Sequence, residues 1–437
     1  MEEKDKEIAA LKEVIRLQAE TILMLQGRIA ALERRLGLNS GNSSNPPSSD
    51  GLRKKPTPKS LRPQGDKPSG GQPGHKGSTL EQVTHPTSVV LAKVEVCESC
   101  GKSLRTRVLS RVVKRQVFDI PAPKVAVVEH QAEVKACSCG HHTMAPFPKG
   151  VTAPVQYGSR MKALAVYLSI QQLIPEDRLQ QTFADLFALP VSTATLVTLN
   201  EDCATQVAAG QEAVLNSLKS APVKHLDETG FRMGGKTQWL HVISTDQATH
   251  YRVSPKRGDL LEGLSGVIVH DHWKPYFMLE NVKHALCNAH HLRELKALEE
   301  IEKEPWAFKM SQLLRLLPRL KDPPLERVMK LYDTYVKAGL AFHTFQPPLS
   351  ERKKRTGHNL LLRLQNYKDA VLRFLTTPGV PFTNNQAEQD IRMMKVKQKI
   401  SGGFRTTQGA NTFCILRGFL STQRKQGRNL FHAIQNA

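Results

Sequence analysis

Residues 223–230, VKHLDETG, and residues 266–273, GVIVHDHW, are short apolar runs that each lead into an acid, Asp227 in the first and Asp271 in the second. Two further runs of the same kind lie between them, Trp239 to Thr245 and Thr249 to Val253. Four such runs among stretches of helical periodicity predict an α/β core with an acid at the tip of two strands. An acid in that position often serves only as a turn or cap. Far downstream, TNNQAEQDIR (383–392) opens a helix with Glu388 in its first turns and Arg392 one turn on. A glutamate there can simply complement the helix dipole. The three carboxylates gain meaning as a set, because a pair of divalent ions needs hard oxygen ligands and open positions for phosphate.

The charge balance is consistent with a phosphate-rich partner. Among 437 residues, 62 Lys and Arg face 40 Asp and Glu, a formal charge of +22, and a basic surface concentrates polyanions by releasing their counterions. A chain of this length suggests two to four domains. With 40% aliphatic and aromatic residues it is not wholly disordered, and no apolar run approaches the roughly 18 residues of a membrane span. The acidic start MEEKDKE does not read as a signal peptide. Seven cysteines, an odd count for a disulfide scaffold, suggest a cytosolic chain with thiols free for metal.

Residues 1–38 carry heptads with Ile8, Ile15, Ile22, Ile29 and Leu36 at one core position and Leu11, Gln18, Leu25 and Leu32 at the other. That pattern favours a parallel two-stranded coiled coil, in which Glu7 would meet Lys12 and Arg28 would meet Glu33 of a second copy. An amphipathic helix packed on its own protein is the plainer alternative. Residues 39–82 are rich in Gly, Pro, Ser and Asn with seven basic residues, and read as a flexible basic linker, a spacer or a tracker of phosphates.

Residues 83–150 hold strand-like runs around Cys97-x-x-Cys100 and Cys137-x-Cys139, each pair followed by glycine. This is the form of a structural zinc ribbon. The second pair is one residue short, so His141 or His142 stands as an alternative ligand. Over residues 151–215 a helix from Pro175 to Phe187, the turn ALPV and a helix capped by Ser192 have the outline of a helix-turn-helix. In that motif Thr193 and Thr195 would face the major groove, although similar helix pairs abound in proteins that never touch DNA. Residues 301–369 read as a helical insertion and 401–437 as a basic tail. Lys395, Lys397, Lys399 and Arg405 are candidates for phosphate contacts or for a solvated basic face. His290, His291 and Arg293 could approach a phosphate or be structural. Trp273 and Tyr276 could stack on a base or fill the core.

The order of strands, with the third acid on a late helix, resembles the RNase H-like core of DDE transposases. The strings LNSGNSSNPPSSDG, HLDETG, VHDHWKPY, ALCNAHHLREL, NNQAEQDIR and KQKISGGFRTTQGA resemble, in order, those of the large transposase protein of the IS66 insertion-sequence family. The resemblance covers nearly the whole chain. It implies a coiled coil, a zinc-binding module, a helix-turn-helix, and a catalytic core over 216–300 and 370–400 interrupted by the helical insertion. Asp227, Asp271 and Glu388 fall on the family's acidic triad, which implies two Mg or Mn ions beside a structural Zn. The implied partners are double-stranded DNA at element ends and target, a second copy through the coiled coil, and accessory proteins of the same element, with no membrane. The implied place is the bacterial cytoplasm, associated with the nucleoid. Two other activities fit the same core, a catalytically inactive DNA-binding regulator and a structure-specific nuclease.

Deleting residues 1–38 is expected to convert a dimer to a monomer in light scattering. A dimer that survives the deletion would move the interface elsewhere.

Overall fold

The computed structural model describes residues 2–39, 41–43, 79–345 and 355–437. Most of the expected linker, and residues 346–354 of the expected helical insertion, lie outside them. The heptad segment is one helix, α1 (Glu2–Gly37), and Ile8, Ile15, Ile22 and Ile29 remain exposed along it. Its last turn docks on the body of the protein. Arg34 pairs with Glu302, and Gly37 lies so close to Ile301 that a Cβ would sit 2.9 Å from its side chain.

Around the paired cysteines the expected strands are nearly absent. Only β1 (Val134–Ala136) and β2 (His142–Met144) pair, with one isolated bridge between Val96 and Ser103. Val90, Val108, Val117 and Val127 are almost fully exposed. A β-propensity run without a partner sheet gains too little burial to form a ladder.

Next come α2 (Ser159–Val166), which runs on through a π turn to Gln171, then α3 (Glu176–Phe187) and α4 (Thr193–Ser220). Ser192 caps α4 as expected, its Oγ accepting from Thr195 N at 3.0 Å. Between α3 and α4, Ala188 takes a left-handed conformation, and the buried Val191 anchors the turn.

A mixed sheet of five strands follows: β3 (Val223–Met233), β4 (Lys236–Ser244), β5 (Thr249–Ser254), β6 (Gly266–His270) and β7 (Val282–Leu286), in the order β5-β4-β3-β6-β7. The first three form an antiparallel meander, while β6 and β7 run parallel to β3. Alternation assigns the two faces. Phe231, Leu240 and Val242 look one way, and Leu226, Ile243 and Ile268 look the other. Asp227 does not end its strand as expected, because β3 continues six residues past it to Met233 as the arm of the meander. It lies instead just beyond the parallel pairing with β6, whose last partners are His225 and Val269.

After β7 a helical body occupies the gap between the second and third acids: α5 (Asn288–Ala297), a π turn (Leu298–Glu302), α6 (Pro305–Leu316), α7 (Leu325–Thr344), α8 (Thr356–Asn366) and α9 (Lys368–Thr376). Its own core gathers Leu295, Trp306, Met310, Tyr332, Leu361 and Val371. Helix α5, assigned by sequence to the catalytic core, therefore packs with the insertion.

The chain then returns to the sheet as α10 (Asn385–Ser401), α11 (Thr407–Lys425) and α12 (Leu430–Gln435). The basic tail expected over 401–437 is in fact a core element. Ala410, Phe413, Leu416, Leu420 and Ile434 are buried against the face of β3 and β4 that carries Phe231. Their helical spacing, under a strongly basic composition, was masked by the charge count.

Gly266, the first residue of β6, has φ +77°, and a Cβ there would lie 2.7 Å from the carbonyl oxygen of Pro222. Gly266→Ala is expected to cost about 2–4 kcal/mol, read as a lower urea midpoint with an unchanged slope. An unchanged midpoint would show that the β3–β6 junction tolerates a side chain.

Candidate active site

Asp227 shares the sheet face of Phe231, the face covered by α10. Glu388 stands in the first turn of that helix. Asp271 follows the last residue of β6, where its carboxylate accepts from Trp273 N at 2.8 Å and closes a tight turn. All three are half-buried. They gather where β3 has one neighbour antiparallel and the other parallel, outside the carboxyl end of the parallel pair, the usual location of a ligand crevice in open α/β sheets.

Asp227 feels the charges of both other acids. Burial pushes the Asp227 carboxyl well above the usual carboxylate range, and the charges of Glu228, Asp271 and Glu388 push it further, against one hydrogen bond from Glu228 N. Burial also raises Asp271, opposed by Trp273 N and by Arg257. Such a cluster of hard oxygen donors fits magnesium or manganese, whose charge would reverse the penalty.

Asn384, which sequence reasoning passed over, fixes the geometry. It is 2% exposed and caps α10 in position only, since its side chain is spent elsewhere. Its Oδ1 accepts from His225 Nδ1 at 2.8 Å, its Nδ2 donates to Leu226 O at 2.8 Å, and its backbone N–H donates to Cys287 Sγ at 3.1 Å. One residue thus ties the helix of Glu388 to the strand of Asp227 and to the start of α5. Burial holds His225 below its ordinary range.

Glu228 points to the opposite face from Asp227. Arg257 donates to its Oε1 through Nε at 2.8 Å and Nη2 at 2.6 Å, and Tyr276 OH donates to its Oε2. The Arg257 guanidinium lies over Trp273 at 4.2 Å and over Trp239 at 5.1 Å. Tyr276 is 1% exposed and Trp273 packs in the same cluster, so both fill the core. The adjacent Asp-Glu pair was the sequence signal for this second, structural acid.

Comparison with known families bears directly on this acidic cluster. Residues 154–412, the span holding all three acids, match the family model described as "Transposase IS66 family". The chain belongs to the IS66 transposase family. Residues 95–140 match the zinc-finger binding domain of transposase IS66, and residues 1–81 match a family of unknown function. A curated relative, "Uncharacterized protein y4jO" of Sinorhizobium fredii, is 35% identical over 82 residues, which cover 18% of this chain and 26% of that protein. The chain thus matches about a quarter of that relative's length.

Within the zinc-finger match, both cysteine pairs form turns that aim backbone N–H groups at sulfur. Gly101 (φ +70°) and Gly140 (φ +84°) close these turns through bonds to Cys97 O and Cys137 O, each 2.9 Å. The Cys97 thiol is lowered by the N–H groups of Cys100 and Ser99, and the Cys137 thiol by that of Cys139. A thiolate held this way suits zinc. No backbone geometry here prefers His141 or His142 over Cys139.

The basic residues separate into distinct environments. Lys395 stands two turns after Glu388, its Nζ donating to Gly230 O at 3.0 Å and feeling the charge of Asp227. Lys397 is 8% exposed, so the expectation that it contacts phosphate is corrected: the helical period turns it into the body while Lys395, Lys399 and Arg405 face out. Arg293 folds back to Ala289 O at 3.3 Å, and His291 bonds Asn288 in the interior. Thr193 is exposed, whereas the Thr195 hydroxyl is paired with Ser192 Oγ at 2.9 Å. Among the described residues no helix is long and apolar enough to cross a membrane.

Because Asp227 ionises later folded than unfolded, its contribution to stability is complete below the ordinary carboxylate pKa and is lost as pH rises through the folded value. Metal-free protein is therefore expected to lose stability from about pH 4 upward through this group. Asp227→Asn is expected to raise the neutral-pH melting temperature of the metal-free protein by a few degrees and to abolish stabilisation by manganese. A lower melting temperature with manganese stabilisation intact would overturn the assignment.

Proposed function

We propose that this chain is a DNA transposase that cuts at the ends of an insertion sequence and joins them to target DNA. The observation that carries the reading is the convergence of Asp227, Asp271 and Glu388, from two strands and a distant helix, on one charge cluster. The strand order β5-β4-β3-β6-β7, antiparallel then parallel, supports an RNase H-like core of the DDE type. Membership of the IS66 family supports the reaction class.

Asp227, Asp271 and Glu388 would hold two Mg or Mn ions, which would supply Lewis acidity for an in-line phosphoryl transfer. The residues of the chain hold the charge and the geometry. Asn384 ties the helix of Glu388 to the strand of Asp227, and Asp271 is held by its turn. Lys395 offers a cation beside the cluster for a non-bridging phosphate oxygen. Water attacks first, breaking a P–O bond and freeing a 3′-hydroxyl. That hydroxyl then attacks a target phosphate, so no Ser, Tyr or Cys nucleophile is needed.

Binding would draw on the net charge of +22, with α3 and α4 as a helix-turn-helix presenting Thr193 to the major groove, and with Lys399 and Arg405 on phosphates. Structural zinc on Cys97, Cys100, Cys137 and Cys139 would order the segment before it. The exposed apolar stripe of α1, with Glu7 set to meet Lys12 and Arg28 to meet Glu33, suits a parallel homodimer. The reading places the protein in the bacterial cytoplasm with the nucleoid, alongside accessory proteins of the same element.

The test is incubation with element-end DNA, a target plasmid and manganese, comparing wild type with Asp227→Ala, Asp271→Ala and Glu388→Ala. Joined products lost by at least about 100-fold in each variant are expected. Full joining by the Glu388 variant would remove it from the triad. Cutting without joining would favour the nuclease, and binding without cutting the regulator.

A further inference from the structure

Glu388 has a second set of neighbours. Cys287, His290 and Glu388 bring a thiol, an imidazole and a carboxylate within 4.8 Å of one another. Cys287 is the N-cap residue of α5 and His290 stands in its first turn, three residues apart and so on one side of the helix. Their place is fixed from several directions. Cys287 N donates to His270 O at 2.9 Å and Asn288 N to Phe382 O at 3.1 Å, while Asn288 Nδ2 donates to Val371 O at 2.9 Å.

Two features of this cluster are unexplained by packing. Cys287 Sγ stands 3.9 Å from Glu388 Oε1, long for a stabilising hydrogen bond. It is near the sulfur-to-oxygen edge of a tetrahedron around zinc, about 3.6 Å from ordinary zinc bond lengths. The His290 Nδ1 atom is buried without a hydrogen-bond partner, a state that costs stability unless something binds there. The backbone N–H of Asn384 on Cys287 Sγ, at 3.1 Å, is the outer contact that steadies a sulfur ligand.

We propose that Cys287, His290 and Glu388 form a site for a zinc-class ion, and that an ion held there withdraws Glu388 from Asp227 and Asp271. The sulfur and imidazole donors select zinc or cobalt over magnesium, whereas Asp227 and Asp271 offer oxygen alone. On binding, the Cys287 thiol gives its proton to solvent and the fourth position is open to water. The site shares a ligand with the proposed catalytic pair, so the second part of this inference rests on the reading of Glu388 as catalytic. A chain loaded at this site would keep its fold and its DNA-binding surfaces but lack the third carboxylate.

The test uses the full chain, stripped with a chelator and reloaded with zinc or cobalt. Wild type is expected to hold about two zinc ions per chain, one in the four-cysteine module and one here. Cys287→Ser and His290→Gln are each expected to hold about one, as is Cys97→Ser, which empties the other site. In cobalt-loaded protein, the absorption lost in His290→Gln should be that of a single-thiolate centre, and that lost in Cys97→Ser that of a four-thiolate centre. Zinc loading should lower the manganese bound by wild type, read by paramagnetic resonance, and leave that of His290→Gln unchanged. Equal zinc content in wild type, Cys287→Ser and His290→Gln would overturn the site. Unchanged manganese binding after zinc loading would overturn the withdrawal of Glu388. If the Cys287 variant melts early, His290→Gln carries the comparison alone. The two readings fail separately: loss of strand joining leaves the zinc count standing, and a missing second zinc leaves manganese-supported joining standing.

Discussion

Like charges held together in a half-buried place repel, and Asp227 stands in such a place with the charges of Glu228, Asp271 and Glu388 acting on it. Burial is the larger cause that raises its carboxyl, and those charges add to it. The restraint is visible in Asn384, whose three polar groups bond to the strand of Asp227 and to the start of α5 at the moment the chain enters the helix of Glu388. Removing solvent and pairing every polar atom of Asn384 makes each of those bonds costly to lose. Asn384 thereby holds the helix of Glu388 to the strand of Asp227.

The rest of the fold serves that restraint. Parallel pairing of β6 with β3 brings Asp271 level with Asp227, and alternation along β3 sends Asp227 towards α10 and Glu228 away from it. Glu228, bound by Arg257 and Tyr276, locks the opposite face. The helical body inserted before Glu388 has its own core but is tied to the sheet, through Arg373 Nε to His284 O at 2.6 Å. Helix α5 starts beside Glu388 and ends at the π turn that receives Arg34 and Gly37 of α1. A continuous element thus joins the proposed dimerising helix to the acidic centre.

Much of this was legible in the residues. The heptads of α1, the Ser192 cap, the paired cysteines with their glycines and the strands between Val223 and Asp271 are local patterns, and local patterns survive folding. What misled were features whose meaning depends on partners. The valine-rich runs near the cysteines look like strands but found no sheet to join. Residues 401–437 look like a basic tail because they hold five basic residues and no acid, yet α11 buries Phe413 and Leu416 on the sheet. Lys397 reads like its neighbours until the helical period turns it inward.

The sequence by itself determined the donor chemistry, because residue types and their spacing state which acids, thiols and cations are present. It also determined family membership, since residues 154–412 match the family model. Only the tertiary structure decided which of those groups meet. Asn384 and Cys287 were not singled out in the sequence, and His290 only as a candidate phosphate contact, since their meeting arises from hydrogen bonds and approaches across about 100 residues or more of chain. Contacts at that separation are fixed by sheet order and helix docking, which burial of the whole core selects and which no local window contains.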